Sequence, residues 1–338
     1  MSVENEVPKA PTSPADLARW AFWVPFRDML KVDRPEQIRS LHGLWRLQWL
    51  SARSGRNLML DEYRRCFGNS FPDADYKRII KEAYRAAFRV HLEELLLGKL
   101  TIDNVENYIQ FRGREHLDEA LERKKGVLWL YPHAGAVMQM LAWLSLQGYP
   151  YTQYAARGLP PEDVARDHPE LLAANRWREA VRQVREENED RLPAKFITLN
   201  TSVRELFRRL NKNELVGIAY DGRIGNKWVP MDYLNRTALL NPGPYRMAIQ
   251  TGAAIVPAFC HTPKTGPAQC HVGKPIYPEG KKWPALAEQL LDQQQRWLRR
   301  WPEEYGVWLV HCRERNHIDD HPLFVDHAHG DRYKKWIR

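Results

Sequence analysis

The residue best placed for chemistry is His133, in residues 126–156, a stretch that contains no Asp, Glu, Lys or Arg. Residues 126–131 predict a short buried strand, and Pro132 ends it because proline has no N–H to donate. After His133, apolar residues recur at helical spacing as far as Gly148. His133 is therefore expected in a strand-to-helix turn, where the positive helix end favours a neutral imidazole that accepts a proton. A buried histidine satisfied by backbone is the alternative.

Asp221 is the second candidate for chemistry, because it follows another predicted buried strand at residues 214–220. Catalytic and binding residues of parallel sheets lie beyond the carboxyl ends of the strands. His133 and Asp221 are thus expected at one edge of the same sheet, unless Asp221-Gly222 is an ordinary turn.

The pattern of elements predicts an α/β fold, in which a helical N-terminal part is followed by a mainly parallel sheet flanked by helices on both faces. Four regions are expected: a disordered lead at 1–14, a helical part at 15–100, an α/β part at 101–315, and a mobile, polar, His-rich tail at 316–338. The predicted strands are 108–111, 126–131, 151–155, 195–198, 214–220, 228–231, 254–260 and 269–272. The predicted helices of the α/β part are 115–124, 162–191, 201–210, 242–251 and 284–301, before a final apolar piece at 307–310.

The first predicted helix carries Trp20, Phe22, Trp23 and Phe26 beside basic residues, with Asp16 as its expected cap. Core packing explains this pattern, and a surface membrane anchor is the alternative.

The charge balance indicates an acidic partner, because the 338 residues carry a net charge of +9 and a pI near 9.3. An acidic carrier protein, an anionic membrane surface and nucleic acid all fit such a charge. The basic residues are scattered and no recognition motif is present, so nucleic acid is not expected as a partner. Oligomeric state is left open.

The cysteines and histidines do not predict a metal site. The four cysteines lie far apart without a CxxC pair, which favours a reducing compartment. His311, Cys312, His317, His321, His327 and His329 match no standard zinc spacing. Because the N-terminus has no signal-type apolar region, a cytoplasmic location is expected, with peripheral attachment to the inner face of the cytoplasmic membrane as an extension.

Four stretches together resemble the lipid A late acyltransferase family of the lysophospholipid acyltransferase superfamily, to which phosphatidylinositol mannoside acyltransferases are related. They are EALERKKGVLWLYPHAG at 119–135, LNKNELVGIAYDGR at 210–223, WVPMDYLNRTALLNPGPYRMAIQTGAAIVPAF at 228–259 and WPEEYGVWLVHCRER at 301–315. The resemblance implies transfer of a fatty acyl group from an acyl-carrier-protein or CoA thioester to a hydroxyl or amine, with no cofactor beyond that co-substrate.

The family signature is a His followed, after four residues, by Asp or Glu. His133 matches, but Met138 occupies the acidic position, and no carboxylate lies between Glu122 and Glu162. A general-base histidine needs an acid to fix its tautomer and stabilise its developing charge. Asp221 is the candidate, since related mannoside acyltransferases place an acidic residue at the matching strand end.

The substrate-side candidates are basic or turn residues. Arg157 and Arg223, and more weakly Arg176 and Arg178, could bind phosphate in a bidentate fork. Gly135 lies between Ala134 and Ala136, and the backbone N–H groups of these three residues could hold an oxyanion. Asn241 begins a turn that the resemblance places beside the substrate.

Two other functions fit the substitution at Met138. One is acyl transfer to a non-lipid acceptor in specialised metabolism. The other is a catalytically inactive relative that binds acyl chains, lipid or a carrier protein.

Overall fold

The computed structural model describes residues 12–30, 35–155, 175–198, 201–223, 225, 227–315 and 322–328. Within these ranges, helices precede a mainly parallel sheet with helices on both faces, so the predicted fold class is confirmed. The first α-helices are Pro14–Ala21 (α1), Arg27–Met29 (α2), Pro35–Arg39 (α3), Trp45–Ser51 (α4), Arg53–Phe67 (α5) and Asp73–Glu94 (α6). A π-helical turn, Phe22–Phe26, joins α1 to α2, and a 3-10 turn, Ser40–Leu44, precedes α4.

The beginning of α1 differs from the prediction. Ser13, not Asp16, caps the helix, and the two side chains form a reciprocal capping box with 3.1 Å bonds to each other's backbone N–H. Pro14 at the first helical position favours this earlier start, since its missing N–H would have no partner there. Most of the predicted disordered lead, residues 1–11, lies outside the described residues.

The strands are Ile109–Arg112 (β1), Val127–Tyr131 (β2), Tyr151–Ala155 (β3), Lys195–Thr198 (β4), Leu215–Ala219 (β5), Val229–Tyr233 (β6), Arg236–Leu240 (β7), Ala254–His261 (β8) and Ala268–Val272 (β9). In the described part of the chain, the main sheet has the order β1-β9-β8-β2-β5-β3-β4. All of its neighbours are parallel except β8 and β9, which run antiparallel. Strand β2 is therefore central, between β8 and β5.

The sheet is buried on both faces because successive side chains of its central strands enter two different apolar clusters. Leu128 and Leu130 of β2 belong to one cluster, whereas Val127 and Trp129 belong to the other. This alternation follows from the two-residue period of a strand. A strand covered on both sides must be apolar throughout, which explains the sequence Val-Leu-Trp-Leu-Tyr of β2.

The remaining α-helices include the ones that cover these faces. They are Arg114–Glu122 (α7), Val137–Leu146 (α8), Arg176–Asp190 (α9), Arg204–Asn211 (α10), Gly243–Thr251 (α11), Trp283–Arg300 (α12) and Gly306–Glu314 (α13). Residues 307–310, the predicted final apolar piece, belong to α13. The part of the predicted helix 162–191 that precedes residue 175 lies outside the described residues. Among the described helices, none has both the length and the apolarity required to cross a bilayer.

Strand β7 is missing from the sequence-based prediction. It pairs antiparallel with β6, which overlaps the predicted strand 228–231. The connecting residues Leu234 and Asn235 both have positive φ, at 52° and 57°. A two-residue hairpin needs such angles, but its usual signal is Asn-Gly or Asp-Gly, so the pair Leu-Asn concealed the turn.

Residues 322–328 are packed, although the sequence predicts them as part of a mobile tail. Leu323 and Phe324 are fully buried, and Leu239 of β7 donates a 2.8 Å backbone hydrogen bond to the Leu323 carbonyl. This short segment therefore extends the β6–β7 hairpin. The rest of the predicted tail beyond residue 328, together with residues 316–321, lies outside the described residues.

A buried ionic cluster holds that segment in place. Arg236 of β7 binds Glu62 of α5 at 2.7 Å and the two oxygens of Asp326 at 2.6 and 2.7 Å. His327 lies between Arg236 and Glu62, with its Nε2 at 2.8 and 3.0 Å from them. Burial opposes ionisation of Glu62, but His327 and Arg236 outweigh it and lower the pKa of this carboxyl. The cluster thus ties α5, β7 and the C-terminal segment together.

Candidate active site

The backbone between β2 and α8 presents His133 at the carboxyl end of the sheet. Strand β2 ends at Tyr131, Pro132 follows, and α8 begins at Val137. Gly135 in this turn has φ of +63°, and a Cβ there would lie 2.4 Å from the Cys260 carbonyl oxygen of β8. Only glycine fits both the angle and the close approach.

Strand register brings Asp221 beside His133. The parallel pairing of β2 and β5 aligns Tyr131 with Ala219. His133 and Asp221 each lie two positions beyond this last pair, so both chains leave the sheet at the same level. The prediction that both residues occupy one edge of the sheet agrees with this arrangement.

The two side chains form a close pair. The Nδ1 of His133 lies 2.7 Å from Oδ1 of Asp221, and the backbone N–H of His133 donates to both carboxylate oxygens at 3.2 and 3.1 Å. Because the carboxylate accepts at Nδ1, that nitrogen carries the proton in the neutral ring and Nε2 keeps its lone pair. Nε2 has no hydrogen-bond partner among the described residues.

Solvent access differs sharply between the two partners. The side chain of Asp221 is fully buried, whereas that of His133 is 36% exposed. A substrate can therefore reach the imidazole but not the carboxylate. This is the arrangement that a general base and its orienting acid require.

The segment that leads into α13 completes the surroundings of the pair. Tyr305, at the start of α13, donates from its hydroxyl to Oδ2 of Asp221 at 2.7 Å. Burial, reinforced by the negative charge of Asp221, raises the pKa of Tyr305 well above its ordinary value. Tyr305 therefore stays protonated and remains a donor to the carboxylate.

An aromatic wall lies against the imidazole. Trp308 of α13 stacks on His133 with ring centroids 3.7 Å apart and planes 15° apart. His311, one turn later, also stacks on the indole, with centroids 5.0 Å apart. Stacking fixes the plane of the His133 ring, and the π-face of Trp308 favours the positive charge that the ring acquires when it takes a proton.

Tyr305 and Trp308 are site residues that the sequence-based reasoning missed. Both lie in the stretch 301–315 that carries part of the family resemblance, but no spacing relates them to His133. Their approach depends on the docking of the α13 segment, where the Gly135 N–H donates to the carbonyl of Glu304 at 3.3 Å. The available signal was the clustering of aromatic residues in that stretch.

The predicted oxyanion donors are only partly available. The N–H of Ala134 donates to the Pro132 carbonyl and that of Gly135 to Glu304. The backbone N–H groups of Ala136 and Met138 have no acceptor among the described residues. The close contact with β8 explains why residue 135 is a glycine. The N–H groups that remain available to an oxyanion are those of Ala136 and Met138, at the beginning of α8.

Arg223 lies close to the pair in sequence but interacts with the β6–β7 region. Its guanidinium donates to the Leu239 carbonyl at 2.9 Å and lies 4.0 Å from the ring centroid of Trp228. Asn241 accepts a 2.7 Å bond from the N–H of Gly243 and so caps the turn before α11. Arg157 lies outside the described residues.

Arg176 and Arg178 lie at the beginning of α9, and Arg178 contacts the N-terminal helix α1. Arg178 forms an ion pair with Asp16 of α1 at 2.8 Å, and this hydrogen bond lowers the pKa of the Asp16 carboxyl strongly. Arg176 lies over its neighbour Trp177, 4.2 Å from the ring centroid. The ion pair explains Arg178 as a link between α9 and α1, whereas the contact of Arg176 lies within α9.

One set of side chains in the described ranges has the geometry to hold a cation. The potential ligand atoms of His261, Glu303 and Glu304 lie within 4.8 Å of one another. Glu304 already accepts from the Thr262 N–H at 2.6 Å and lies 3.2 Å from the His261 ring nitrogen. These bonds hold the α13 segment against β8, which supports the turn at Gly135.

A partly exposed histidine, held by a buried aspartate at the carboxyl edge of a parallel sheet, defines a general-base site. The chain belongs to the bacterial lipid A biosynthesis acyltransferase family, whose model matches residues 46–312. The family resemblance inferred from the sequence is thereby confirmed. The match includes both members of the pair and the α13 segment.

A related protein is the phosphatidylinositol mannoside acyltransferase of Mycolicibacterium smegmatis. It is 27% identical to this chain over 212 residues. The match covers 61% of this chain and 58% of that protein, which is less than two thirds of the relative's length.

Proposed function

We propose that this protein transfers a fatty acyl group from a thioester, carried by acyl carrier protein or CoA, to a hydroxyl or amine of a lipid or glycolipid. Family membership and the activity named for the mycobacterial relative support the reaction class. The observation that carries the proposal is the 2.7 Å contact between His133 and Asp221, with the imidazole open to solvent.

The proposed step begins with the acceptor hydroxyl hydrogen-bonded to Nε2 of His133. Nε2 takes the proton while the oxygen attacks the thioester carbonyl, which forms a C–O bond and a tetrahedral oxyanion. The oxyanion then collapses, the C–S bond breaks, and the departing thiolate receives the proton from Nε2. Asp221 stabilises the imidazolium between these two transfers.

Backbone donors at the beginning of α8 are proposed to stabilise the oxyanion. The N–H groups of Ala136 and Met138 lie just beyond His133 in the chain, and a helix N-terminus carries a partial positive charge. This assignment replaces the pair Ala134 and Gly135, whose N–H groups donate to protein carbonyls.

The donor and the location are further parts of the proposal. A net charge of +9 favours an acidic acyl carrier protein or the phosphates of CoA. Arg157 and Arg223 are the proposed phosphate contacts. A cytoplasmic protein that works at the membrane surface would meet both a soluble donor and a lipid acceptor.

A second candidate function is that of a catalytically inactive relative that binds acyl chains or lipid, and Met138 is the residue that supports it. This residue occupies the acidic position of the family signature and packs, partly buried, against an apolar cluster. The pair of His133 and Asp221 favours activity, because a carboxylate already occupies the ring nitrogen that an orienting acid must bind.

The test is product analysis by mass spectrometry after incubation with palmitoyl-CoA or palmitoyl acyl carrier protein and a panel of phosphatidylinositol mannosides, lipid A precursors and amines. We expect one acylated product, a matching release of thiol, and loss of both in His133→Ala. His91→Ala is the control, since His91 is exposed on α6. Turnover that survives unchanged in His133→Ala would refute the mechanism, and thioester binding without turnover would favour the inactive relative.

A further inference from the structure

Three exposed leucines mark an unusual surface on α4 and the turn before it. Leu44, Leu47 and Leu50 are 39%, 66% and 74% exposed. Their spacing of three residues places them within about 120° of arc on a helix, so they form one outward face. Apolar side chains clustered on one exposed face commonly mark an interaction site.

The opposite face of α4 is anchored in the protein. Trp45 and Trp49 pack against the main apolar cluster, and their ring centroids lie 6.3 Å apart. Trp49 also meets Tyr84 of α6 edge-on, with centroids 5.5 Å apart. The leucines are therefore held outward by a helix whose inner face is already packed.

The charged residues in the stretch around the leucines are all basic. Residues 37–60 contain four arginines and no Asp, Glu or Lys. Among these, Arg46 and Arg53 are exposed and Arg56 is half-buried. None of these three forms an ion pair with any side chain in the part of the chain that the structure describes. We call Leu44, Leu47, Leu50, Arg46 and the first residue of α5, Arg53, the α4 surface.

We propose that the α4 surface binds an anionic lipid bilayer, with the leucines inserted at the headgroup level and the arginines on lipid phosphates. Apolar side chains flanked by cations on one helix face are the composition of interfacial helices. A symmetric contact with a second copy would bring unpaired arginines against each other, which charge repulsion disfavours. The aromatic stretch near the N-terminus is a weaker candidate, since Trp23 is buried and Trp20 packs on Trp177.

The α4 surface is connected to the candidate active site through α5. Tyr63 of α5 donates to the Pro302 carbonyl at 2.8 Å, in the segment that leads into α13. Helix α13 carries Trp308, which stacks on His133. A bilayer bound at α4 would thus contact a helix that packs, through α5 and α13, against the His133 site. Bilayer binding itself does not rest on the proposed acyl transfer, and it is measured without a catalytic readout.

The test is co-sedimentation of the full chain with vesicles of phosphatidylcholine, with and without phosphatidylglycerol. We expect binding to anionic vesicles, a loss of roughly tenfold or more in Leu47→Ser/Leu50→Ser, and a loss of about fivefold per arginine in Arg46→Gln and Arg53→Gln. Ile102→Ser and Arg204→Gln are the controls and should bind as wild type. Ile102 is 58% exposed and Arg204 is exposed, and both lie outside the α4 surface.

Three results would overturn the inference. One is the absence of wild-type binding to anionic vesicles. Another is unchanged binding of the leucine variant at a wild-type melting temperature. The third is a leucine variant that converts a dimer into a monomer in light scattering while vesicle binding persists, which would identify a second copy as the occupant. Loss of vesicle binding with unchanged thioester turnover in solution would support the inference independently of the catalytic proposal.

Discussion

The Nδ1 atom of His133 lies 2.7 Å from Oδ1 of Asp221, although 88 positions separate the two residues in the chain. The pair exists because β2 and β5 are neighbours in register and both chains turn away from the sheet at the same level. A carboxylate from a neighbouring strand thus occupies Nδ1, while the family's acidic position holds Met138.

Asp221→Asn tests the orienting role of the carboxylate. We expect kcat to fall by roughly 10³- to 10⁴-fold, because an amide can stabilise the wrong tautomer and cannot neutralise the imidazolium. Steady-state thioester turnover measures the effect, and circular dichroism verifies the fold. Asp103→Asn, a change at an exposed aspartate, should leave kcat unchanged. Equal activity of the two variants would remove Asp221 from the mechanism.

Tyr305→Phe tests the hydroxyl that supports Asp221. Removal of one hydrogen bond to a charged group should lower kcat by about 10- to 100-fold, less than Asp221→Asn. Tyr245→Phe is a matched control, because Tyr245 is also buried but its hydroxyl has no hydrogen-bond partner among the described residues. A Tyr305→Phe enzyme with wild-type kcat at wild-type stability would contradict the assignment.

Met138→Asp restores the acidic residue of the family signature. In the wild-type background we expect no rise in kcat, since Asp221 already occupies Nδ1 of His133. The same kcat assay, run in the wild-type and Asp221→Asn backgrounds, measures the effect. A large gain in either background would mean that a carboxylate on α8 can orient the ring after all.

Arg236→Met tests the buried ionic cluster at the C-terminal segment. The change leaves the fully buried Glu62 without its closer arginine and should lower the free energy of unfolding by about 3–5 kcal/mol. Urea denaturation measures it. Arg65→Gln is the control, since Arg65 contacts the same Asp326 but is 39% exposed, and its loss should cost less than about 1 kcal/mol. Similar losses in the two variants would show that the cluster is not a core interaction.

Two histidines outside the His133 site contribute to the dependence of stability on pH, and burial lowers the pKa of His311, beside that site, to about 4 as well. Burial lowers the pKa of His42 to about 4, as do the charges of nearby arginines. Burial also lowers the pKa of His271 to about 4, with His261 adding to the effect. The unfolded chain binds these protons near pH 6.5. Stability is therefore full above that pH and is lost as the pH falls towards 4.

Substitution of both histidines by glutamine should flatten this loss. The slope of the free energy of unfolding between about pH 6 and 5 should decrease by up to about 1.4 kcal/mol per pH unit for each histidine removed. Urea denaturation at a series of pH values measures the slope. His91→Gln serves as control, since His91 is exposed. An unchanged slope in the double variant would mean that both rings are protonated in the folded state.

The predicted strands were located well where they are buried on both faces. Strands β2, β5 and β8 are continuous apolar runs bounded by turn residues, so their positions follow from local composition. The hairpin partner β7 escaped prediction because its turn uses Leu234 and Asn235, and turn signals depend on residue type. Residues 322–328 were assigned to the polar tail by the composition of the residues around them, but they contain the apolar run Leu323-Phe324-Val325 and are ordered by distant partners on β7 and α5.

The sequence by itself determined the fold class, the family and the positions of His133 and Asp221, because strand ends and apolar periodicity are local properties of the chain. Only the tertiary structure decided which groups surround them. The places of Tyr305 and Trp308 depend on how the α13 segment docks against β8 and the His133 turn, and the free N–H groups at the beginning of α8 depend on the geometry of that turn. Such docking arises from contacts between residues far apart in sequence, and the spacing of residues along the chain does not predict those contacts.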